Sequence, residues 1–233
     1  SDGAVTITGA VTGAQNLDIL SGTGLTTITG NIGTGGTPLT SLDINNVDTS
    51  GDTGGVTLGG NIGVGVVSGT TPGAGIVRLG NANTTSAITL SGTVYNTSGA
   101  VTIKGGSYVV DNASAVTMVT SGDAVTFGVS GVTSDLTVGD ATFKIDTDTT
   151  ASSGGNITFF GDILGAGSGD KADIVLDALD GTVTVLGIGA NGASDNDEIN
   201  DITLTGATIK LDGVINATHN AATDKGNVTF TGA

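Results

Sequence analysis

The feature that most constrains this chain is a short phrase that returns from one end to the other. Two apolar residues flank one polar residue, usually Thr, as in Val5-Thr-Ile7, Val56-Thr-Leu58, Val101-Thr-Ile103 and Val183-Thr-Val185. Segments of this kind occupy 5–8, 17–20, 41–44, 56–58, 76–79, 88–90, 101–103, 125–127, 136–138, 143–145, 157–159, 183–185, 202–204, 209–211 and 228–230. Alternation with a period of two places one set of side chains on each face of an extended strand, so each segment reads as a short strand with one buried face. Most are bounded by Gly, Asn, Asp or Ser, the residues that make turns. No stretch of twelve residues keeps a helical period, which predicts almost no helix.

Strand starts mostly 9 to 15 residues apart fit either a sandwich or a solenoid. Reuse of one local unit separates the two. Ser98-Gly-Ala-Val-Thr-Ile-Lys-Gly105, Ser121-Gly-Asp-Ala-Val-Thr-Phe-Gly128 and Ser153-Gly-Gly-Asn-Ile-Thr-Phe-Phe-Gly161 are variants of one turn-and-strand phrase, as are 1–9 and 225–232. Such reuse is the mark of stacked repeats. The expected fold is therefore all-β, a right-handed parallel β-helix (β-solenoid). At roughly 20 to 25 residues per coil it would have roughly ten coils. The rival is a pair of tandem antiparallel β-sandwich domains.

Composition supports a thin core. Of 233 residues, 42 are Gly, five are Phe, two are Tyr and none is Trp, while Val, Ile, Leu and Ala supply the apolar positions. Branched aliphatics repeated along an axis fill a narrow stacked core, where a globule uses large aromatics. Gly3-Ala-Val-Thr-Ile-Thr-Gly-Ala10 and Gly226-Asn-Val-Thr-Phe-Thr-Gly-Ala233 agree at six of eight positions. This suggests that residues 1–233 are a single solenoid segment and one unit of a longer tandem or polymeric array, joined to copies of itself end to end or laterally. Ser1 in place of Met fits a processed product or an excised piece.

Twenty-two acids against six bases give a net charge of −16, and Arg78 is the only Arg. Five Lys cannot neutralise a run of phosphates, which argues against nucleic-acid binding, and an anionic membrane surface would repel the chain. No apolar run approaches the ~20 residues that span a bilayer. Absence of Cys removes disulfide and thiolate chemistry.

The phrases 226–233 and 3–11, followed by Leu17-Asp-Ile-Leu20 and Ser41-Leu-Asp-Ile44, resemble the repeat region of filamentous-haemagglutinin-like large exoproteins. Those are bacterial surface adhesins whose shafts are right-handed parallel β-helices. The resemblance implies a structural module of a stalk, filament or adhesin shaft, extracellular or on a bacterial or archaeal cell surface, without catalysis. A glycan-binding or host-surface-binding segment is the second reading, and a carbohydrate-active β-helix enzyme the third.

Candidate sites are few. The acidic loop Asp195, Asp197, Glu198 and Asp201 is the candidate calcium site, because carboxylates at alternating positions can converge on Ca²⁺. Gly187-Ile-Gly-Ala-Asn-Gly192 spells G-x-G-x-x-G after a strand, but a dinucleotide site needs a helix next, and an acidic loop follows instead. Asp146 with Asp148, or Asp173, Asp177 and Asp180, are the acids that a β-helix hydrolase or lyase would use; Arg78 and His219 stand without evident partners. Tyr95, Tyr108 and Phe160 are the aromatics available to stack on sugar rings. Asn-x-Ser/Thr sequons occur at Asn83, Asn96, Asn112, Asn156, Asn216 and Asn227, with Asn83, Asn96, Asn112 and Asn216 in or near turns.

Overall fold

The computed structural model describes residues 2–48, 50–65, 71–139, 141–148, 153–166, 172–189, 199–217 and 226–232. Among these every regular element is a β-strand, and every strand pair is parallel. The strands form three long sheets that run beside one another. The first contains Val5–Ile7, Thr26–Ile28, Val56–Leu58, Ala87–Leu90, Ser107–Val110, Leu136–Val138, Asp162–Gly165 and Gly187–Ile188. The second contains Val94–Asn96, Val116–Val119, Phe143–Asp146, Ala172–Asp177, Ile199–Thr205 and Val228–Thr231. The third contains Asn16–Ile19, Leu39–Ile44, Ala74–Leu79, Val101–Ile103, Val125–Phe127, Ile157–Phe159, Thr182–Val185 and Thr208–Leu211. The chain visits the first, second and third sheets in turn and then returns to the first one rung higher. This is a β-solenoid.

Its turns number about seven, not ten, since the eight strands of the first sheet are separated by seven steps. The expected 20 to 25 residues per coil is too small. One coil takes 20 residues, from Ile88 to Tyr108, but another takes 35, from Asp43 to Arg78. The excess lies in the corners, which a period-two reading of strands does not count. In the first coils the second sheet shrinks to single bridges, Val11 to Ile32 to Ile62 to Tyr95, so the same column exists with fewer residues on it.

Register explains the phrase. Three of its copies are consecutive rungs of the third sheet, with Val101, Val125 and Ile157 in one column, Thr102, Thr126 and Thr158 in the next, and Ile103, Phe127 and Phe159 in the third. The outer two columns face the core, and the Thr column faces out. Identical positions stack, so a residue that suits one rung suits its neighbours. The recurrent phrases near the two ends occupy different sheets: Val5–Ile7 lies in the first and Val228–Thr231 in the second.

The core is aliphatic at both ends and aromatic in the middle. The Phe127 and Phe159 rings stack at 4.8 Å, the spacing of adjacent rungs, while Tyr108 and Phe143 approach Phe127 edge-on at 5.5 and 6.3 Å. Four rings thus fill the middle section of the core.

Two devices hold the corners. Glycines stack where successive coils touch backbone to backbone: a Cβ on Gly30 would lie 2.0 Å from the Gly9 carbonyl oxygen, one on Gly60 2.3 Å from that of Gly30, and one on Gly92 2.5 Å from that of Gly60. No side chain fits such contacts, which accounts for part of the glycine content. Asn and Asp side chains bind the coils axially. The side-chain oxygen of Asn31 accepts from the Asn61 amide at 2.9 Å, Asn61 from Thr93 at 2.8 Å, Asp135 from Asp162 at 2.9 Å, and Asn156 from Thr182 at 2.8 Å. In each case the acceptor sits on the earlier coil, and each bond satisfies an amide at or just before the first residue of a strand or bridge.

Candidate functional site

Asp195, Asp197 and Glu198 of the expected calcium loop lie outside the described residues. Asp201 is described, and its carboxylate is an axial clamp. Its Oδ1 accepts from the Asn227 backbone amide at 2.7 Å and from Asn227 Nδ2 at 3.1 Å, while its own amide donates to Asp173 Oδ1 at 3.2 Å. Among the described residues no three His, Cys, Asp or Glu side chains gather to hold an ion.

The other acids divide into two sets. Asp173 belongs to the clamp column, where it also receives Asn200 Nδ2 at 2.9 Å and the Thr142 hydroxyl at 3.3 Å. Asp146 and Asp177 are register partners on the outer side of the second sheet. Each uses Oδ1 to accept the amide two residues on, from Asp148 at 3.1 Å and from Leu179 at 3.2 Å, so one turn is built twice on adjacent coils. Lys144 pairs with Asp146 at 2.9 Å, and the Asp180 carboxylate accepts from the Gly154 amide. Partial burial, and then the charges of Asp146 and Asp177, push the Asp148 carboxyl above its ordinary range, with Lys144 opposing and Asp180 adding to the rise. Burial, with Asp135 beside it, does the same to Asp162.

Arg78 is paired: its guanidinium meets Asp43 at 2.8 Å, and Asp43 also receives the Ser41 hydroxyl at 2.6 Å. His219 lies outside the described residues. Gly187–Ile188 of the G-x-G-x-x-G phrase is a strand, and Gly189 turns with φ +59 against the Asn216 carbonyl. The described chain resumes with the strand Ile199–Thr205, not with the helix a dinucleotide would need.

The two tyrosines are core residues. Tyr95 is 2 % exposed, and its hydroxyl accepts from the Gly92 amide at 2.8 Å and donates to the Leu58 carbonyl at 3.2 Å. Tyr108 is 1 % exposed and closes the same three-residue loop onto Gly105. Burial pushes both hydroxyls above their ordinary range. Neither can stack on a sugar. Asn96 is fully buried, which removes it as a glycan acceptor in the folded chain, while Asn83, Asn156 and Asn227 are exposed and Asn112 and Asn216 half-buried.

Phe160 alone of the three aromatics reaches a surface feature. It lies one residue beyond the third sheet, and Leu186 and Asp212 follow it on the next two coils. Thr184 stands beside Leu186 in the outward Thr column. These side chains line an open groove of about 310 Å³, walled by Val132 and Thr133. The wall is a corner longer than those of the two adjacent coils. The third sheet passes to the first through three residues on the coil below (104–106) and two on the coil above (160–161), but through eight here (128–135). That segment carries the only antiparallel bridge among the described residues, Val129 to Val132, and Val132 is 49 % exposed at its tip.

No family model, curated protein or solved structure matches this chain.

Proposed function

We propose that the chain is a structural shaft segment of an extracellular or cell-surface filament, stalk or adhesin, of bacterial or archaeal origin, that joins copies of itself end to end or laterally and performs no catalysis. Its coils take the right-handed sense, the hand that parallel crossover connections adopt almost without exception. The observation that carries the reading is the ladder itself: three parallel sheets stack rung on rung along one axis. In such a fold each rung is completed by its neighbours, so a parallel rung of one copy is a template for a strand layer of another, and Phe230, on the strand Val228–Thr231, is 50 % exposed. The resemblance to filamentous-haemagglutinin-like repeats agrees with this role. So does the high negative charge, which keeps an exposed rod soluble.

Sedimentation velocity over a wide concentration range, with negative-stain electron microscopy of the same samples, tests the proposal. Rods that lengthen with concentration, and that Phe230→Glu returns to single units, are the expected result. Single units of unchanged length at every concentration would overturn it.

A further inference from the structure

We propose that the groove between the long 128–135 corner and the Phe160–Leu186–Asp212 column binds a neutral, extended oligosaccharide, which makes the shaft itself adhesive. This site does not depend on the shaft joining end to end.

Three observations point to a sugar chain. The first is the pairing of an aromatic ring with polar groups on one floor: Phe160 and Leu186 supply apolar surface, and Thr184 and Asp212 sit beside them as hydrogen-bonding groups. A pyranose has an apolar C–H face and a rim of hydroxyls, and an aromatic face flanked by hydroxyl and carboxylate oxygens matches both. Among the described residues Thr184 Oγ1 and the Asp212 carboxylate make no hydrogen bond, so both are open to a ligand. The second is geometry. Phe160, Leu186 and Asp212 lie on successive rungs, so the floor advances by ~4.8 Å per residue along the axis, and it is walled on one side by Val132 and Thr133. A linear polymer lying along the axis meets one contact per rung, where a compact ligand would meet only one or two. The third is charge. With a net charge of −16 and Asp212 at one end of the groove, an anionic polymer is repelled and a neutral one is not.

Neighbouring coils show that the groove is built. The corners on the coils immediately below and above are three and two residues long, so the extra length of 128–135 is not needed to close a coil. Phe160 fits where it does because the rung below it carries Gly128, with φ +99; a Cβ there would lie 2.9 Å from that of Phe160.

The test uses cellohexaose, laminarihexaose and maltohexaose as neutral probes and hexagalacturonate as the anionic control, titrated into the whole chain labelled at Leu and Val methyl groups. At least one neutral hexasaccharide should move the Val132 and Leu186 methyl resonances, and hexagalacturonate should not. Phe160→Ala should weaken that binding about tenfold, the cost of losing one aromatic contact. Val132→Asp, at the exposed tip of the long corner, should also weaken binding while leaving the melting temperature unchanged, which separates loss of the site from loss of the fold. The proposal fails if no neutral probe moves these methyls, if binding survives both substitutions undiminished, or if hexagalacturonate binds as well. Sedimentation of the same samples reports on end-to-end joining separately, so the two proposals fail independently.

Discussion

The tripeptide Val-Thr-Phe occurs at 125–127 and again at 228–230, with opposite fates. Val125 and Phe127 are 0 and 1 % exposed, while Val228 and Phe230 are 41 and 50 % exposed. Both copies are parallel strands with the same alternation, so local sequence is not what buries a side chain. The first copy has a coil on either side, and the second has a described coil only beneath it. In a solenoid each rung is made a core by its neighbours, and stability is a sum of nearest-neighbour terms.

The largest effect should come from removing the interior ring. Phe127→Ala deletes a side chain stacked on Phe159 and edge-on to two more rings, and should cost about 3–5 kcal/mol in denaturant unfolding. Phe230→Ala should cost under about 1 kcal/mol in single units, as surface changes do. Equal costs would break the comparison.

The glycine column gives the next contrast. Gly60→Ala drives a Cβ to 2.3 Å from the Gly30 carbonyl oxygen and should cost about 1–3 kcal/mol, in the range of overpacking. Gly9→Ala, at the foot of the same column, meets nothing within 4 Å and should leave the melting temperature nearly unchanged.

A smaller effect is expected at the clamp beneath the last rung. Asp201→Ala removes the acceptor for the Asn227 amide and should cost about 1 kcal/mol. Hydrogen exchange at Asn227 should quicken while that at Asn156 stays the same.

The smallest effect concerns Asp148, whose carboxyl is raised in the folded state. A raised acid binds its proton more readily when folded, so its ionisation opposes folding once pH rises above the ordinary carboxylate range. Asp148→Asn should therefore raise the melting temperature slightly at neutral pH, and the gain should vanish in acid. Thermal scans across pH check the sign.

Legibility in the sequence followed the direction in which side chains face. Every strand of the third sheet falls on a segment visible as alternation, because its outward column is mostly polar: Asp18, Asp43, Arg78, Thr102, Thr126, Thr158, Thr184 and Lys210. The strands not anticipated lie in the other two sheets, and two of them, Thr26–Ile28 and Val116–Val119, turn a polar Thr outward just as the third sheet does. In Ser107–Val110, Asp162–Gly165 and Ala172–Asp177 the outward residues include Val109, Leu164 and Val175, which hide the period. Val94–Asn96 turns an apolar Val94 outward, and Gly187–Ile188 is too short to show a pattern. The groove was illegible for a related reason. Phe160, Leu186 and Asp212 come together only because successive coils stack in register, which no local motif records. Of its members only Phe160 was a candidate from sequence. The tyrosines that shared its composition signal are consumed by the core.

The central claim is the stacking of that third-sheet column, and a spin-label ruler tests it most directly. The chain has no Cys, so Asp18→Cys with Lys210→Cys, and Thr102→Cys with Lys210→Cys, can each be labelled cleanly with nitroxides. The two pairs are seven and four rungs apart in the third sheet. Pulsed dipolar spectroscopy should give mean distances of about 34 and 19 Å, scaling with rung number at ~4.8 Å per step. Distances that do not scale with rung number, as in a pair of antiparallel sandwiches, would contradict the solenoid.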